Sequence, residues 1–198
     1  MTLVFDLDGT IIDSSSRHHI LMKELLSDNG ISTASDFADE YMKFKADGNS
    51  GKRYLTSVMG LDEQTASSIQ NEWIRRIEDE SLLCFDELYP DALNTLNKIE
   101  DNIIFLTIRS NEEGLRNELK RLNIDNYPVI VLSHGMNKAD ALRKIDGDLT
   151  IVGDTEIDYQ AALDVNADFY ILNRGFRSKE YWDKRDVPSH DDLSELIK

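Results

Sequence analysis

The chain has 198 residues, and its 38 acidic residues outnumber its 22 Lys and Arg residues, which gives a formal net charge of −16. This balance excludes a protein that binds nucleic acid through its phosphates or that docks on an anionic membrane surface, because both would be repelled. The single cysteine cannot form an internal disulfide, and no apolar run approaches the roughly 18 residues of a membrane span. Without a signal-like N-terminus, we expect a cytoplasmic globular protein, either a monomer or a weak dimer.

Five short apolar runs predict β-strands, at residues 2–5, 103–106, 129–132, 149–152 and 169–172. The runs are continuously apolar rather than alternating, which is typical of parallel strands covered on both faces. Helical spacing of apolar residues follows the second, third and fourth runs, with predicted faces Leu115/Leu119/Leu122, Ala139/Leu142/Ile145 and Ile157/Ala161/Val165. This alternation predicts an α/β fold, a Rossmann-like core with a central parallel sheet flanked by helices.

The segment between the first two strands is abnormally long for a crossover connection, which needs only a dozen or so residues. It shows no convincing strand, and helical patterns are present over Ile20–Leu26, Phe37–Phe44 and Ala66–Ile77. We therefore expect an inserted all-helical cap domain over residues 14–89, with an α/β core formed by residues 1–13 and 90–198. The polar, glycine-bearing segment 45–53 is predicted to be a loop within this insertion.

The first predicted strand runs directly into Asp6-Leu-Asp-Gly-Thr10. In open α/β sheets ligands bind beyond the carboxyl ends of the strands, and extended backbone would point the side chains of Asp6 and Asp8 the same way. Converging carboxylates are electrostatically costly unless a cation or a shared proton offsets them, and Mg²⁺ prefers oxygen ligands. The pattern indicates a magnesium site, with an ordinary acidic turn as the alternative.

The fourth predicted strand leads into a similar motif, Gly-Asp154-Thr-Glu-Ile-Asp158. Asp154 would lie at the strand end, and Asp158 would reach back to the same point from the first turn of a helix. Aspartate is also favoured at helix starts for capping, so Asp158 by itself has a purely structural interpretation. The occurrence of two such acidic motifs at strand ends weakens that interpretation.

Two further segments carry candidate phosphate-binding groups. Thr107 ends the second predicted strand, and the residues after it open a helix whose N-terminal N–H groups, with the hydroxyl, would form a phosphate cradle. Ser110 or Asn111 could equally serve only as a helix cap. Lys138 opens the helix before the fourth strand, a position where a lysine is usually solvated.

The order of these motifs, DxDGT, a strand-end Thr, a Lys and GDxxxD, resembles the haloacid dehalogenase superfamily over essentially the whole chain. The arrangement is similar to its phosphatase branch with a helical cap between the first and second motifs, as in phosphoglycolate phosphatase and beta-phosphoglucomutase-like proteins. The resemblance implies a phosphoric monoester hydrolase that uses Mg²⁺ and an aspartyl-phosphate intermediate. A closed cap would restrict the substrate to a small phosphorylated metabolite.

The resemblance also implies roles for individual residues. Asp6 would be the nucleophile, and Asp8 the general acid and then base, with a proton affinity raised by its acidic neighbours. The metal ligands would be Asp6, Asp8 through its carbonyl, Asp154 and Asp158, and the phosphate-binding residues would be Thr107, Ile108, Arg109 and Lys138. The chain lacks the proline that often follows this lysine, so Lys144 is a weaker competitor. Arg109 would either add charge near the phosphate or, with a slight preference, pair with a surface acid.

In the cap, His18, Lys52 and Arg53 are the candidates for contacts with the leaving group. The enzyme alternative is a phosphomutase, which would share Asp6 and Asp8. A phosphonate-cleaving enzyme would need a Schiff-base lysine in the cap, for which Lys45 and Lys52 are available. From another class, a non-catalytic phosphate-binding or signalling domain is the alternative, although such a protein would be expected to have lost one of the two aspartates.

Overall fold

A computed structural model describes residues 1–197 of the chain. The strands are β1 (Thr2–Phe5), β2 (Ile12–Asp13), β3 (Glu87–Leu88), β4 (Asn102–Ile108), β5 (Val129–Leu132), β6 (Leu149–Gly153) and β7 (Asp168–Ile171). The helices are α1 (Ser15–Asp28), α2 (Phe37–Ala46), α3 (Gly51–Ser57), α4 (Glu63–Arg76), α5 (Glu80–Leu83), α6 (Ala92–Leu96), α7 (Glu112–Arg121), α8 (Lys138–Leu142), α9 (Glu156–Val165) and α10 (Lys179–Asp183), with a 3-10 turn at Ser194–Ile197. Within residues 1–197, no helix has the length and apolar character needed to cross a membrane.

Five strands form a parallel sheet in the order β5-β4-β1-β6-β7, which confirms the predicted fold class. The short strand β1 is buried at every position because it lies at the centre, between β4 and β6. Phe5 pairs with Phe105 on one side and with Val152 on the other. The residues that follow these strands therefore meet at one edge of the sheet, where the strand order reverses direction about β1.

Hydrophobic clusters cover both faces of this sheet. The predicted helix face of Leu115, Leu119 and Leu122 is buried, as expected. The predicted face of α9 is wrong at its first position, because Ile157 is 52% exposed. The adjacent Asp158 is turned toward the sheet edge instead, and a helix cannot point two consecutive side chains to the same side.

The helices α1 to α5 share a hydrophobic cluster of their own. An antiparallel pair of two-residue strands, β2 and β3, lies at the point where the chain enters and leaves this helical segment. Of these two strands, β3 falls within residues 14–89, where no strand was expected. Two residues are too few to produce a recognisable alternation in the sequence. The predicted loop at 45–53 is also too long, since α2 continues through Ala46 and α3 begins at Gly51 behind the N-cap Ser50.

Candidate active site

Asp6 lies directly after the central strand, where its backbone N–H continues the sheet by donating to the Val152 carbonyl at 2.8 Å. Its carboxylate accepts a hydrogen bond from Nζ of Lys138 at 2.5 Å. Lys138 opens α8 and is only 5% exposed, and the same Nζ donates to Asp158 at 2.6 Å. Lys144 is exposed at the surface. The structure therefore places Lys138, and not Lys144, between the two acidic motifs.

Asp6, Asp154 and Asp158 each offer a carboxylate oxygen within 4.8 Å of the others. Asp154 is fully buried and accepts hydrogen bonds from the Phe176 backbone N–H at 2.7 Å and from Thr10 Oγ1 at 3.3 Å. These three side chains come from the ends of two adjacent strands and the first turn of a helix, as the sequence pattern predicts.

Asp158 serves both interpretations that its sequence position allows. Oδ2 accepts from the N–H and the hydroxyl of Thr155, at 3.1 and 2.7 Å, and so caps the start of α9. Oδ1 accepts from Lys138 and faces the acidic cluster. Oδ2 of Asp158 therefore caps the helix, and Oδ1 belongs to the acidic cluster.

Two glycines in left-handed conformation allow the backbone to close around Asp154. Gly9 has φ +80° and Gly175 has φ +70°. A Cβ on Gly9 would lie 2.4 Å from Asp154 Oδ2, and a Cβ on Gly175 would lie 2.5 Å from the Cα of Gly9. Both positions exclude a side chain, for steric as well as conformational reasons.

The acidic cluster carries more negative charge than Lys138 neutralises. Burial raises the pKa of Asp6 to about 7, with Asp158 and Asp8 adding to the effect of burial against the attraction of Lys138. Burial together with the nearby Asp6 and Asp158 raises the pKa of Asp154 well above its usual range. An all-oxygen donor set with uncompensated charge fits a hard divalent cation, and the residues present are therefore suited to one.

Asp8 is held by two guanidinium groups. Arg109 binds it in a bidentate manner, with Nε 2.7 Å from Oδ2 and Nη2 2.8 Å from Oδ1, and Arg17 Nη2 also bonds to Oδ1. Burial alone would raise the pKa of Asp8, but Arg109 and Arg17 outweigh it and hold the pKa below its ordinary value. The expectation of a raised proton affinity for Asp8 is therefore wrong, because its neighbours in space are cations.

The same two arginines extend into a buried network. Arg109 also pairs with Glu118 at 3.2 Å, and Arg17 Nε lies 2.8 Å from Asp86. Both acids are fully buried, so the preferred pairing of Arg109 with a surface acid is wrong. Sequence reasoning missed Arg17 as a site residue, since nothing local signals a partner on another element.

The backbone N–H groups after β4 differ from the open phosphate cradle that the sequence predicts. Thr107 is buried at the carboxyl end of β4, followed by the half-buried Ile108. The backbone N–H groups of Ser110 and Asn111 donate to the Glu78 carboxylate, at 2.8 and 2.6 Å. These two amides are therefore engaged by a residue that precedes α5, and Asn111 additionally caps α7 through Gly114 N–H at 2.9 Å.

Of the three cap candidates, His18 contacts a residue of the α/β core, whereas Lys52 and Arg53 lie at the surface. His18 is buried between the rings of Trp73 and Phe176, with ring centroids 5.0 and 4.5 Å away. Phe176 also donates its backbone N–H to Asp154, so His18 contacts a residue that binds the acidic cluster. Lys52 pairs with Glu63 at 2.8 Å on a solvent-facing surface, and Arg53 is exposed.

A parallel sheet that brings a lysine and three carboxylates together at the ends of its central strands is typical of an α/β enzyme. The family model of haloacid dehalogenase-like hydrolases matches residues 1–166. The chain therefore belongs to the haloacid dehalogenase-like hydrolases. No curated protein shows a significant match to the sequence.

Solved structures show the same fold over almost the whole chain. A haloacid dehalogenase-like family hydrolase from Streptococcus pneumoniae superposes with a TM-score of 0.73 at 18% identity, covering 98% of this chain and 96% of that one. A protein described as a predicted phosphoglycolate phosphatase from Haemophilus somnus gives 0.69 at 18%, with 99% and 96% covered. Protein tyrosine kinase A from Mycobacterium tuberculosis gives 0.71 at 20%, with 98% and 95% covered. At these identities the likeness shows the fold alone.

Proposed function

We propose that the chain is a Mg²⁺-dependent phosphatase that hydrolyses a small phosphate monoester through an aspartyl phosphate on Asp6. The observation that carries the proposal is the position of Asp6. Its carboxylate follows the central strand, contacts Lys138 Nζ at 2.5 Å and borders the acidic cluster. A nucleophilic carboxylate beside a buried cation suits attack on an anionic phosphoryl group.

Asp6, Asp154 and Asp158 would hold the metal, with the backbone carbonyl of Asp8 as the further ligand that the family resemblance implies. Bound there, Mg²⁺ would supply positive charge that reduces the repulsion between Asp6 and the phosphate. Lys138 would bind the phosphoryl oxygens from the side of α8, and the Thr107 hydroxyl from the end of β4.

The reaction takes two steps. A carboxylate oxygen of Asp6 bonds to phosphorus while the bond from phosphorus to the ester oxygen breaks, and the leaving oxygen receives a proton from Asp8. Water then attacks the phosphorus and gives a proton to Asp8, so that inorganic phosphate leaves and Asp6 is restored. Because Arg17 and Arg109 hold Asp8 ionised, it suits the second step as it stands, and the first step requires these ion pairs to loosen.

We further propose that residues 14–89 act as a cap over this site. The end of α2 contacts the loop after β7, where Ser178 N–H donates to the Ala46 carbonyl at 2.9 Å and Arg177 Nη1 donates to the Lys45 carbonyl at 3.3 Å. Arg177 is in turn anchored to Glu156 of α9. A helical unit docked on this loop would admit a small metabolite rather than a phosphoprotein, in line with the proposed substrate size.

The test is phosphate release from p-nitrophenyl phosphate and a panel of small phosphate esters, with MgCl₂ or with EDTA. We expect Mg²⁺-dependent turnover that falls at least about a thousand-fold in Asp6→Asn, since removal of a nucleophile abolishes the covalent route. Asp183→Asn changes an exposed acid of α10 and serves as the matched control, with activity unchanged. Equal activity of the wild type and Asp6→Asn, or no activity in either protein across the panel, would contradict the proposal.

A further inference from the structure

Lys45, near the end of α2, differs from the other cations around the site. Each of those others faces a carboxylate, namely Arg17, Arg109, Lys138 and Arg177. Within residues 1–197 Lys45 makes no ion pair, and its hydrogen-bond contact is Nδ1 of His18, 2.6 Å from Nζ. An ammonium group has three N–H donors, so most of the hydrogen-bonding capacity of Lys45 is unused.

Aromatic rings from different parts of the chain surround this amine. Its Nζ lies 4.9 Å from the ring centre of Phe176, 5.2 Å from Trp73 and 5.7 Å from Tyr41. These rings attract a cation without accepting its protons as a carboxylate would. Burial, with Arg177 and then Arg17 adding to it, lowers the pKa of Lys45 to about 7 against the opposing effect of Asp154 and Asp8.

The position of Lys45 corresponds to where a leaving group must extend. In phosphoryl transfer the attacking and leaving oxygens lie roughly in line on opposite sides of phosphorus. Asp6 attacks from the sheet edge, so the leaving group points away from the sheet and toward the helical unit. Phe176 joins the two places, because its N–H binds Asp154 at 2.7 Å while its ring contacts both Lys45 and His18.

We propose that Lys45, oriented by His18, binds a second anionic group on the leaving group, so that the substrate is a small phosphate ester carrying a carboxylate or a second phosphate. Lys45 is half-buried, and an anion would supply the ion-pair partner that its amine lacks, through a strong charge-assisted hydrogen bond. The proposal names the substrate class of the phosphatase proposed above and rests on it. Lys45 is then a specificity residue that acts on the part of the substrate remote from phosphorus.

The kinetic test compares phosphoglycolate, 2-hydroxyethyl phosphate and ethylene glycol bisphosphate, which differ in the group at the far end. We expect kcat/KM to favour one or both anionic esters by at least about ten-fold over the neutral ester. Lys45→Met removes this preference by raising KM for the anionic esters, while Lys45→Arg retains part of the preference. Lys43→Met, on the exposed side of the same helix, keeps the full preference.

A wild-type enzyme without preference for either anionic ester, or a preference that survives in Lys45→Met, overturns the proposal. The two anionic esters distinguish a carboxylate from a second phosphate. Borohydride trapping of a Schiff base between Lys45 and an aldehyde, together with no preference among the esters, also overturns the proposal. The amine of Lys45 would then act as a nucleophile.

Calorimetry with wild-type protein separates this proposal from the phosphatase activity and needs no variant that has to fold. Phosphonoacetate and 2-hydroxyethylphosphonate differ only in the carboxylate and are not hydrolysed. Tighter binding of phosphonoacetate by at least about ten-fold supports the anion site even if no ester is turned over. Equal affinity for the two phosphonates, together with no kinetic preference for ethylene glycol bisphosphate, overturns the anion site even if the esters are hydrolysed.

Discussion

Replacing Arg17 by Met should destabilise the protein by about 3 kcal/mol of the free energy of unfolding, because this arginine lies at the centre of a buried network. Its guanidinium is 3% exposed, contacts the carboxylates of Asp8 and Asp86, and donates to the Ile77 carbonyl at 3.0 Å. Asp8 would keep both of its bonds from Arg109 and lose little. The consequence falls on Asp86, which is fully buried and has Arg17 as its ion-pair partner at 2.8 Å.

The magnitude follows from the charge that is left behind. Removing one partner of a buried pair costs about 3–5 kcal/mol, and the orphaned Ile77 carbonyl adds about 1 kcal/mol. Burial, which outweighs the attraction of Arg17 and is reinforced by Glu118, raises the pKa of Asp86, so this acid takes up a proton readily and softens the loss. The expected loss in the free energy of unfolding therefore lies near the lower end of the range for a buried pair.

Urea unfolding measures the effect, with Arg75→Met as the control. Arg75 pairs with Glu72 on the exposed face of α4, and loss of such a pair changes stability by less than about 1 kcal/mol. Asp86→Asn should cost clearly less in the Arg17→Met protein than in the wild type, because the pair is already broken. A loss below about 1 kcal/mol for Arg17→Met, or full additivity of the two changes, would refute the reasoning.

Two further predictions concern the acidic cluster. The pKa of Asp6 is raised to about 7, and that of Asp154 is raised well above its ordinary value. The metal-free folded protein therefore binds more protons than the unfolded chain above about pH 4, and its stability falls as pH rises through this window. Saturating Mg²⁺ should therefore raise Tm more at pH 7.5 than at pH 5.5, by about 5 °C or more at the higher pH. Scanning calorimetry with MgCl₂ and with EDTA measures the difference. No shift in Tm, or a larger shift at the lower pH, would count against the metal site. Lys138→Met should lower kcat/KM for the best ester at least about 100-fold, as for loss of one electrostatic donor, whereas Lys144→Met at the surface should not change it. A loss of less than about three-fold on the folded Lys138→Met protein would remove Lys138 from the proposed role.

The local sequence pattern was enough to predict the parallel sheet and the position of the two acidic motifs. Continuous apolar runs identify the parallel strands, and chain direction alone places Asp6 and Asp154 at the same edge, because parallel strands end on one side. The position of Asp158 at a helix start was readable as both cap and cluster member, and the structure shows both. These features depend on residues close in sequence or on the rule that parallel strands end at the same edge of a sheet.

Only the tertiary structure decided which long side chains meet. Arg17 and Arg109 reach Asp8 across 9 and 101 positions of sequence, and together they lower the pKa that acidic neighbours were expected to raise. Lys45 acquires its surroundings because α2 docks against the loop that carries Phe176. Such contacts are set by how the helical segment packs on the core, and a flexible cation carries no local signal of its eventual partner. The sequence by itself therefore determined the edge at which the chemistry lies, and packing decided the charge around it.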